Sequence, residues 1–253
     1  LIEKESIVTI SEEKPREKLN PQLNQLNGKK FYLETGGHKI STFLQNDLIV
    51  LSPGVPSNIP PVINAKKAGI EILSEIELAA RFIDTPIIAI TGTNGKTTTT
   101  TLINQILLNC GKKTFLGGNI GNPLIEYLTS STKIDYLVLE LSSFQLEGIK
   151  TFRPYISVIL NITPDHLDRY SSFDDYIKAK AKIFINQKKS DFLILNGDDN
   201  ITANFIGKTD AQEVIFSKKD GAKVRAFLKD NNIFYKNSIN NIIKFNLSHF
   251  RLP

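Results

Sequence analysis

The sequence predicts an α/β fold in which helices flank both faces of a largely parallel, doubly wound β-sheet. The first observation is a set of apolar runs that are hydrophobic throughout, as strands buried on both faces of a parallel sheet are. These runs are PIIAIT (86–91), IDYLVLEL (134–141), YISVILNIT (155–163) and DFLILN (191–196). The second observation is that helical stretches separate the runs, at about 97–110, 122–130, 143–149 and 173–187. Because strand and helix alternate, we expect right-handed crossover connections.

The first part of the chain is predicted to form a separate domain of shorter elements. After a polar, lysine-rich stretch, KKFYLE (29–34) and NDLIVLS (46–52) are predicted to be short strands with a Gly-Gly turn between them. Residues 64–83 are predicted to form a helix, a short strand and a second helix. The breaker sequence Asp-Thr-Pro at 84–86 then marks a linker. The expected domains are therefore 1–84 and 85–253.

The last part of the chain changes in character after residue 212. Short apolar segments there are separated by Asn- and Asp-containing turns, which is typical of hairpins. The segments are EVIFS (213–217), VRAFLKD (224–230), NNIFYKN (231–237) and IIKFNLS (242–248). The sequence predicts that they form a short antiparallel β region at the end of the second domain.

Composition limits the classes of protein to which this chain can belong. Of its 253 residues, 41% are hydrophobic and 23% are charged, which is typical of a globular protein. No apolar run approaches the ~20 residues that a membrane span needs. The net charge of +5 is spread over short lysine pairs, which favours a solvated surface over nucleic-acid binding. From the charge and the apolar run lengths we therefore expect no nucleic-acid or membrane partner. Because Cys110 is the only cysteine and cannot form an internal disulfide, we expect a protein of the reducing cytoplasm.

A glycine-rich loop directly follows the strand PIIAI and directly precedes a predicted helix. It reads Ile-Thr-Gly-Thr-Asn-Gly-Lys-Thr over residues 90–97. The two glycines allow the backbone amides to curl around an anion, and the start of the helix adds further N–H donors. Lys96 can reach terminal phosphates, and the hydroxyl of Thr97 can bind Mg²⁺. The strict pattern has glycine where Ile90 stands, and the alternative is a turn that only caps the helix.

Three polar side chains are predicted to lie near the carboxyl ends of strands, where α/β proteins bind ligands. Glu140 ends one buried strand, and His166 follows another. Lys180 lies on an apolar helical stripe formed by Phe173, Tyr176, Ile177, Lys180, Ile183 and Phe184.

Each of these side chains has an ordinary alternative explanation when it is taken alone. Glu140 can be a paired strand-end carboxylate, and His166 an ordinary loop histidine. The pattern alone favours a Lys180 side chain that snorkels to solvent. A neutral buried amine can instead react with carbon dioxide to give a carbamate, whose oxygen atoms suit Mg²⁺.

Two further loops contain polar residues with structural and functional interpretations. The loop GGNIGNP (117–123) contains Asn119, and its Asn-Pro end is a good start for a helix. Ser142 and Gln145 have the spacing of a capping box, which is compatible with a second role at a binding site.

Together these segments resemble the Mur ligase family of bacterial cell-wall synthesis. The residues that carry the resemblance are SPGVP (52–56), GIEILSEIEL (69–78), AITGTNGKTT (89–98), GGNIGNP (117–123), LELSSFQLE (139–147), NITPDHLDRY (161–170) and YIKAK (176–180). Their order and spacing match the family from about residue 30 to the end. The segments ELSSFQLE and GGNIG are most similar to the family members that add D-glutamate.

The resemblance implies an ATP-dependent ligase that joins D-glutamate to UDP-N-acetylmuramoyl-L-alanine through an acyl phosphate. It implies the remainder of a Rossmann-like UDP-sugar domain over 1–84 and a P-loop ATP-binding domain over 85–253. The implied ATP-binding residues are Gly92, Thr93, Asn94, Gly95, Lys96, Thr97 and Thr98.

The resemblance also implies how metal and substrate are held. Thr97 and Glu140 would bind one Mg²⁺, and His166 with a carbamylated Lys180 would bind a second. Lys96, His166 and Lys180 would be catalytic. Asn119, Ser142 and Gln145 would line the site for the muramoyl-alanine end of the substrate. We expect a monomer.

Family members have three domains, and the resemblance implies that the central domain over 85–253 is incomplete at its C-terminal end. The start of the first domain and the whole third domain have no counterpart here, so we expect the 253 residues by themselves to be inactive. Alternatives are another Mur or folylpolyglutamate-type ligase and a non-catalytic ATP-binding protein. A P-loop GTPase is disfavoured because the sequence has no Asn-Lys-x-Asp guanine motif.

Overall fold

The computed structural model describes residues 1, 5–130, 132–166, 169–237 and 241–247. Leu167 and Asp168 of the histidine loop, and Ser248 of the last predicted strand, lie outside the described residues. Contacts within the chain divide it into two compact units, Leu1–Leu73 and Ser74–Pro253. In the described ranges, no helix is long and apolar enough to cross a membrane.

The first unit is built from short strands and helices. In chain order these are β1 (Thr9–Glu12), α1 (Asn20–Asn24), β2 (Tyr32–Thr35), α2 (Ile40–Leu44), β3 (Leu48–Leu51), α3 (Pro60–Lys67) and β4 (Glu71–Ser74). β1 and β2 form a parallel pair, and β3 is the neighbour of β4. The core consists of Phe43, Ile49, Val62 and Ala65. β1, α1 and α2 were not predicted. They are only four or five residues long, which is too short to show a clear hydrophobic period, and Phe43 is the only buried residue among them.

The second unit contains the elements that position the candidate site. They are α4 (Glu75–Ala80), β5 (Ile87–Thr91), α5 (Lys96–Asn109), β6 (Thr114–Gly118), β7 (Tyr136–Glu140), α6 (Ser143–Glu147), β8 (Ile156–Ile159), α7 (Phe173–Ala181), β9 (Phe192–Asn196), α8 (Asn200–Ala203), β10 (Gln212–Ser217), β11 (Val224–Lys229), β12 (Asn232–Lys236) and β13 (Ile242–Asn246). Two 3₁₀ helices, Leu124–Thr129 and Lys182–Phe184, lie between them.

Nine of these strands form one mixed sheet in the order β13-β12-β11-β10-β9-β8-β5-β7-β6. The strands from β6 across to β11 are parallel, and among the described residues β11–β12 and β12–β13 are the antiparallel pairs of this sheet. β5 lies between β7 and β8, so the segments that follow these three strands emerge side by side at one edge. This edge is where an α/β sheet binds ligands.

Helices pack on both faces of the sheet. Ile88 and Ile90 of β5 face the side on which Ile103 of α5 packs. The alternating residues Ile87 and Ala89 belong to the larger cluster on the other side, which includes apolar residues of α4, α6 and α7. This alternation is the two-residue period of a strand whose faces are both buried.

One predicted strand direction is wrong. The segment EVIFS was expected to be antiparallel, but it lies in β10, which pairs in parallel with both β9 and β11. The chain between β9 and β10 contains α8 and forms a crossover, so β10 starts at the same edge as β9. Antiparallel pairing begins only after β11, where Asp230 and Asn231 adopt positive φ angles of 47° and 55° in the turn to β12.

Two predicted helices are shorter or tighter than expected. The stretch 122–130 forms a 3₁₀ helix over Leu124–Thr129, in which only Leu124 is fully buried. The stretch 173–187 is α-helical only to Ala181 and then becomes 3₁₀. In that second stretch the carbonyl of Ile183 accepts a hydrogen bond from the hydroxyl of Ser157 at 3.1 Å, which holds the irregular end against β8.

α4 is attached to the second unit by a buried carboxylate. Glu77 is fully buried, and its carboxylate accepts hydrogen bonds from the backbone N–H groups of Lys150, Thr151 and Phe152 at 2.9–3.0 Å. The hydroxyl of Thr151 donates to the same carboxylate at 2.5 Å. The division by contacts therefore falls between residues 73 and 74, whereas the boundary predicted at 84/85 assigns α4 to the first domain.

We predict that Glu77→Gln lowers the free energy of unfolding by about 2–3 kcal/mol at neutral pH, because hydrogen bonds to a charged group are lost. Burial by itself raises the pKa of Glu77, but the hydrogen bonds from Thr151, Lys150 and Phe152 outweigh it and leave the pKa below the ordinary 4.5. The unfolded chain thus binds more protons, so this stabilisation is present above about pH 4.5 and is lost as the pH falls towards the folded pKa. Denaturant titrations of wild type and variant at several pH values should show their difference shrinking in acid.

Glu75→Gln on the same helix is the matched control. The pKa of Glu75 is raised, chiefly by burial, and the N–H of Ile125 is the donor that partly opposes this. Its substitution should cost less than about 1 kcal/mol, with the opposite pH trend. Equal losses in the two variants would contradict the role given to Glu77.

Candidate functional site

The loop between β5 and α5 has the curled backbone of an anion-binding turn. Gly92 and Gly95 have φ angles of 153° and 82°, a region in which glycine is favoured. A Cβ atom on Gly92 would also lie 3.1 Å from the Cβ of Leu160. Asn94 and Thr97 are exposed, as is Gly95. The loop and the first turn of α5 are therefore open to a ligand.

Lys96 lies across this loop. Its Nζ donates a hydrogen bond to the carbonyl oxygen of Thr93 at 3.0 Å. The backbone at the same position begins α5, so the ammonium group and the positive end of a helix act together. This combination attracts phosphate groups.

Glu140 is a buried carboxylate with two side-chain donors. It is 2% exposed, and the hydroxyl of Thr97 donates to its Oε2 at 2.7 Å. The side-chain amide of Asn119 donates to Oε1 at 2.8 Å. The structure therefore brings together three residues that the sequence analysis had placed on separate segments.

The oxygen atoms of Thr97 and Glu140 are spaced as two ligands of a magnesium ion would be. The 2.7 Å between the oxygen atoms of Thr97 and Glu140 is close to the spacing of neighbouring oxygen ligands around Mg²⁺, about 2.9 Å. Within the described ranges, no group of three or more His, Cys, Asp or Glu side chains could hold a metal. Few protein ligands are typical of Mg²⁺, which usually keeps water and substrate phosphates in its coordination shell.

Lys180 is a buried amine at the same loop. It is 1% exposed, and its Nζ donates to the carbonyl oxygen of Gly92 at 2.8 Å. Burial, aided by the positive charge of Lys96 and opposed by Asp165, lowers the pKa of Lys180 to about 7. A large fraction of the amine is therefore neutral near pH 7. The stripe predicted from the sequence is confirmed, but the snorkelling interpretation is wrong because the Nζ points into the protein.

His166 lies beside the same aromatic residue as Lys180. Its ring is centred 6.3 Å from the ring of Tyr176, and the Nζ of Lys180 is 4.7 Å from the centre of that ring. His166 has a positive φ of 53°, and its Nε2 is 3.6 Å from the carboxylate of Asp165. Phe144 of α6 also packs against the imidazole, with ring centres 5.0 Å apart.

Ser142 and Gln145 form the capping box that their spacing predicts. The hydroxyl of Ser142 accepts from the N–H of Gln145 at 3.3 Å, and the N–H of Ser142 donates to the side-chain oxygen of Gln145 at 3.0 Å. Of the three residues expected to line the substrate site, Asn119 is the one whose side chain donates a hydrogen bond to the Glu140 carboxylate in the described part of the chain. The roles expected for all these residues towards ATP, metal and substrate stay predictions.

Tyr176, Thr163 and Asn161 also contact the loop, although they were not predicted to belong to the site. The hydroxyl of Thr93 lies 3.2 Å from the hydroxyl of Tyr176 and accepts from the N–H of Thr163 at 3.0 Å. Asn161 also contacts the loop. The signal that could have indicated Asn161 and Thr163 is their place immediately after a buried strand next to β5.

Two protein families match the chain. Residues 90–251 match the family described as the Mur ligase middle domain, and residues 1–74 match the Mur ligase MurD-like, N-terminal domain.

Curated relatives share both regions. The UDP-N-acetylmuramoylalanine--D-glutamate ligase of Geotalea uraniireducens (strain Rf4) is 50% identical over 229 residues, which are 90% of this chain and 51% of that protein. The protein of the same name from Citrifermentans bemidjiense is 45% identical over 247 residues, which are 98% of this chain and 54% of that protein. The chain thus spans about half the length of the curated relatives that it matches.

Solved structures show a similar fold. UDP-N-acetylmuramate:L-alanyl-gamma-D-glutamyl-meso-diaminopimelate ligase from Neisseria meningitides has a TM-score of 0.58 at 13% identity, over 94% of this chain and 75% of that one. A structure of UDP-N-acetylmuramoyl-L-alanyl-D-glutamate--2,6-diaminopimelate ligase has a TM-score of 0.54 at 18% identity, over 78% of this chain and 52% of that one. These similarities support the α/β fold alone. Because the middle-domain family covers more than half of the sequence, the chain belongs to the Mur ligase family.

Proposed function

We propose that this chain carries the ATP-binding and metal-binding part of a UDP-N-acetylmuramoylalanine--D-glutamate ligase, the name borne by its curated relatives. The reaction joins D-glutamate to UDP-N-acetylmuramoyl-L-alanine at the expense of ATP, in peptidoglycan precursor synthesis. The observation that carries the proposal is that Lys96, Lys180 and the Thr97–Glu140 oxygen pair all meet at one phosphate loop.

The loop is the proposed site for the phosphates of ATP. The residues from Gly92 to Thr98 form an exposed turn with hydroxyl groups and one ammonium group, and the start of α5 adds backbone N–H groups. Lys96 would exchange its hydrogen bond to Thr93 for one to a terminal phosphate, because a charged acceptor binds an ammonium more strongly than a carbonyl does. Lys96 then offsets negative charge on the phosphate that is transferred.

Thr97 and Glu140 would hold one Mg²⁺ and His166 with modified Lys180 a second. Bound Mg²⁺ supplies positive charge between two anions, the substrate carboxylate and the phosphates. Glu140 is already desolvated, and its donors Thr97 and Asn119 orient both of its oxygen atoms. These hydrogen bonds therefore hold the Glu140 carboxylate in place before ATP or Mg²⁺ binds.

Lys180 is proposed to be a carbamate. Its neutral Nζ attacks the carbon of CO₂, a nitrogen–carbon bond forms, and one N–H proton is released to solvent. The product is an anionic carbamate whose oxygen atoms can bind a metal. Burial favours the first step because it keeps the amine neutral at a pH near 7.

The acyl substrate is proposed to lie along Asn119, Ser142 and Gln145. Its alanine carboxylate attacks the γ-phosphate of ATP, which gives an acyl phosphate and ADP. The amine of D-glutamate then attacks the acyl carbon, and phosphate leaves as the amide forms. The first step brings together two anions, the substrate carboxylate and the γ-phosphate, so positioned cations would offset their repulsion.

We predict that the full-length protein releases phosphate from ATP only when UDP-N-acetylmuramoyl-L-alanine, Mg²⁺ and D-glutamate are all present. A coupled phosphate assay with D-glutamate replaced by L-glutamate or L-lysine tests the amino-acid assignment. Release with another amino acid would move the protein to a different ligase of the family. ATP binding without release in any mixture would support a non-catalytic ATP-binding protein instead.

Lys96→Ala should lower kcat/KM for ATP by about 10²–10³-fold, because one donor to the transferred phosphate is lost. Lys112→Ala, beyond the other end of α5, is the control for the change in net charge and should leave kcat/KM unchanged. Steady-state kinetics with varied ATP measures both. Wild-type kinetics in Lys96→Ala would remove this lysine from the site.

Lys180→Ala should lose activity by about 10²-fold or more, since a metal ligand and its charge are removed. Added acetate or propionate should restore part of the rate, because a short carboxylate can occupy the space of the carbamate. Lys178→Ala on the exposed side of α7 should keep full activity and show no response to acetate. Full activity of Lys180→Ala would show that this lysine has only a structural role.

A further inference from the structure

The segment after β8 continues the pairing of the sheet into the phosphate loop. The N–H of Leu160 donates to the carbonyl oxygen of Thr91 at 3.1 Å, and the N–H of Thr93 donates to that of Asn161 at 2.9 Å. The first of these bonds involves Thr91, which with Ile159 forms the last residue pair of the two strands, and the second lies beyond that pair. Gly92 permits the approach, because a Cβ there would meet Leu160 at 3.1 Å and Asn161 at 3.4 Å.

The side chain of Asn161 then pairs with the next residue of the loop. Its Oδ1 accepts from the backbone N–H of Asn94 at 2.9 Å, and its Nδ2 donates to the carbonyl oxygen of Asn94 at 3.0 Å. One side-chain amide thus satisfies both backbone polar groups of Asn94. An aspartate could accept but not donate, so it could not make both bonds. The amide side chain of Asn161 has one acceptor and one donor on separate atoms, which suits this pair of bonds.

Residues 161–163 hold the neighbouring loop residue as well. The hydroxyl of Thr93 accepts from the N–H of Thr163 at 3.0 Å and donates to its carbonyl oxygen at 3.2 Å. Asn94 is exposed, so few packing contacts oppose a rearrangement of its backbone. Hydrogen bonds that hold the loop in one shape raise the fraction of molecules that can bind phosphate, and with it the apparent affinity.

We propose that Asn161 is a positioning residue that keeps the phosphate loop in its curled, nucleotide-ready shape through the backbone of Asn94. This inference rests on the proposed function, because it takes the loop to be the site of nucleotide phosphates. Asn161 acts through the loop, because both hydrogen bonds of its side-chain amide go to the backbone of Asn94.

The test is Asn161→Ala in the full-length protein. Isothermal titration calorimetry gives the Kd for ATP with Mg²⁺ and for inorganic triphosphate with Mg²⁺, which carries the phosphates without the nucleoside. If the loop keeps its binding shape only about a tenth of the time, both Kd values should rise about tenfold. The Tm of the nucleotide-free protein is measured alongside.

Asn186→Ala is the matched control. The side-chain amide of Asn186 donates two hydrogen bonds of 3.0 Å to the carbonyl oxygens of Lys150 and Phe152, which precede β8. Its loss should lower Tm by an amount similar to that of Asn161→Ala while leaving both Kd values unchanged. A structural role alone for Asn161 would likewise lower Tm without changing either Kd, and that result would overturn the inference.

Asn161→Gln covers the case in which the alanine variant does not fold. It keeps the amide group, but one additional methylene displaces it, so the Kd values should again rise, and unchanged values would overturn the inference. Wild-type protein that binds ATP but never shows D-glutamate-dependent phosphate release would overturn the proposed ligase alone. Wild-type protein that binds neither ATP nor triphosphate would overturn both.

Discussion

The parallel pairing of β5 with both β7 and β8 is the constraint on which the candidate site depends. Ile90 lies opposite Glu140 in one pair, and Thr91 lies opposite Ile159 in the other. All three strands point the same way, so the residues that follow them meet at one edge although they are far apart in sequence. An antiparallel neighbour on either side would have sent Glu140 or Asn161 to the opposite edge.

The charged side chains near this edge of the sheet differ in how exposed they are to solvent. Lys180 and Glu140 are both buried. The Nζ of Lys180 donates a hydrogen bond to the carbonyl oxygen of Gly92, and the carboxylate of Glu140 accepts one from the hydroxyl of Thr97. Lys178, two residues from Lys180, has a side chain that is 76% exposed. Burial is expensive for a charge, so an amine in the place of Lys180 is driven towards its neutral form while its neighbour remains an ordinary ammonium.

Much of the local structure could be predicted because it depends on short-range conformation. The curl at Gly92 and Gly95 and the capping box of Ser142 and Gln145 follow from backbone geometry and spacing within a few residues. Helical periodicity predicted that Lys180 lies on an apolar stripe, but the pattern favoured a side chain that reaches solvent over the buried amine of the structure. The parallel direction of β10 could not be predicted in the same way, because a short apolar run pairs equally well in either direction.

The sequence by itself determined the positions of the central strands, the glycine-rich loop and the apolar stripe on which Lys180 lies, since these depend on hydrophobic period and on φ preferences of single residues. Only the tertiary structure decided that Thr97 reaches Glu140, that Lys180 binds the carbonyl of Gly92 and that Asn161 pairs with Asn94. These contacts join residues separated by 43, 88 and 67 positions. They depend on the order and direction of the strands, which are set by the packing of the whole sheet and not by any one segment.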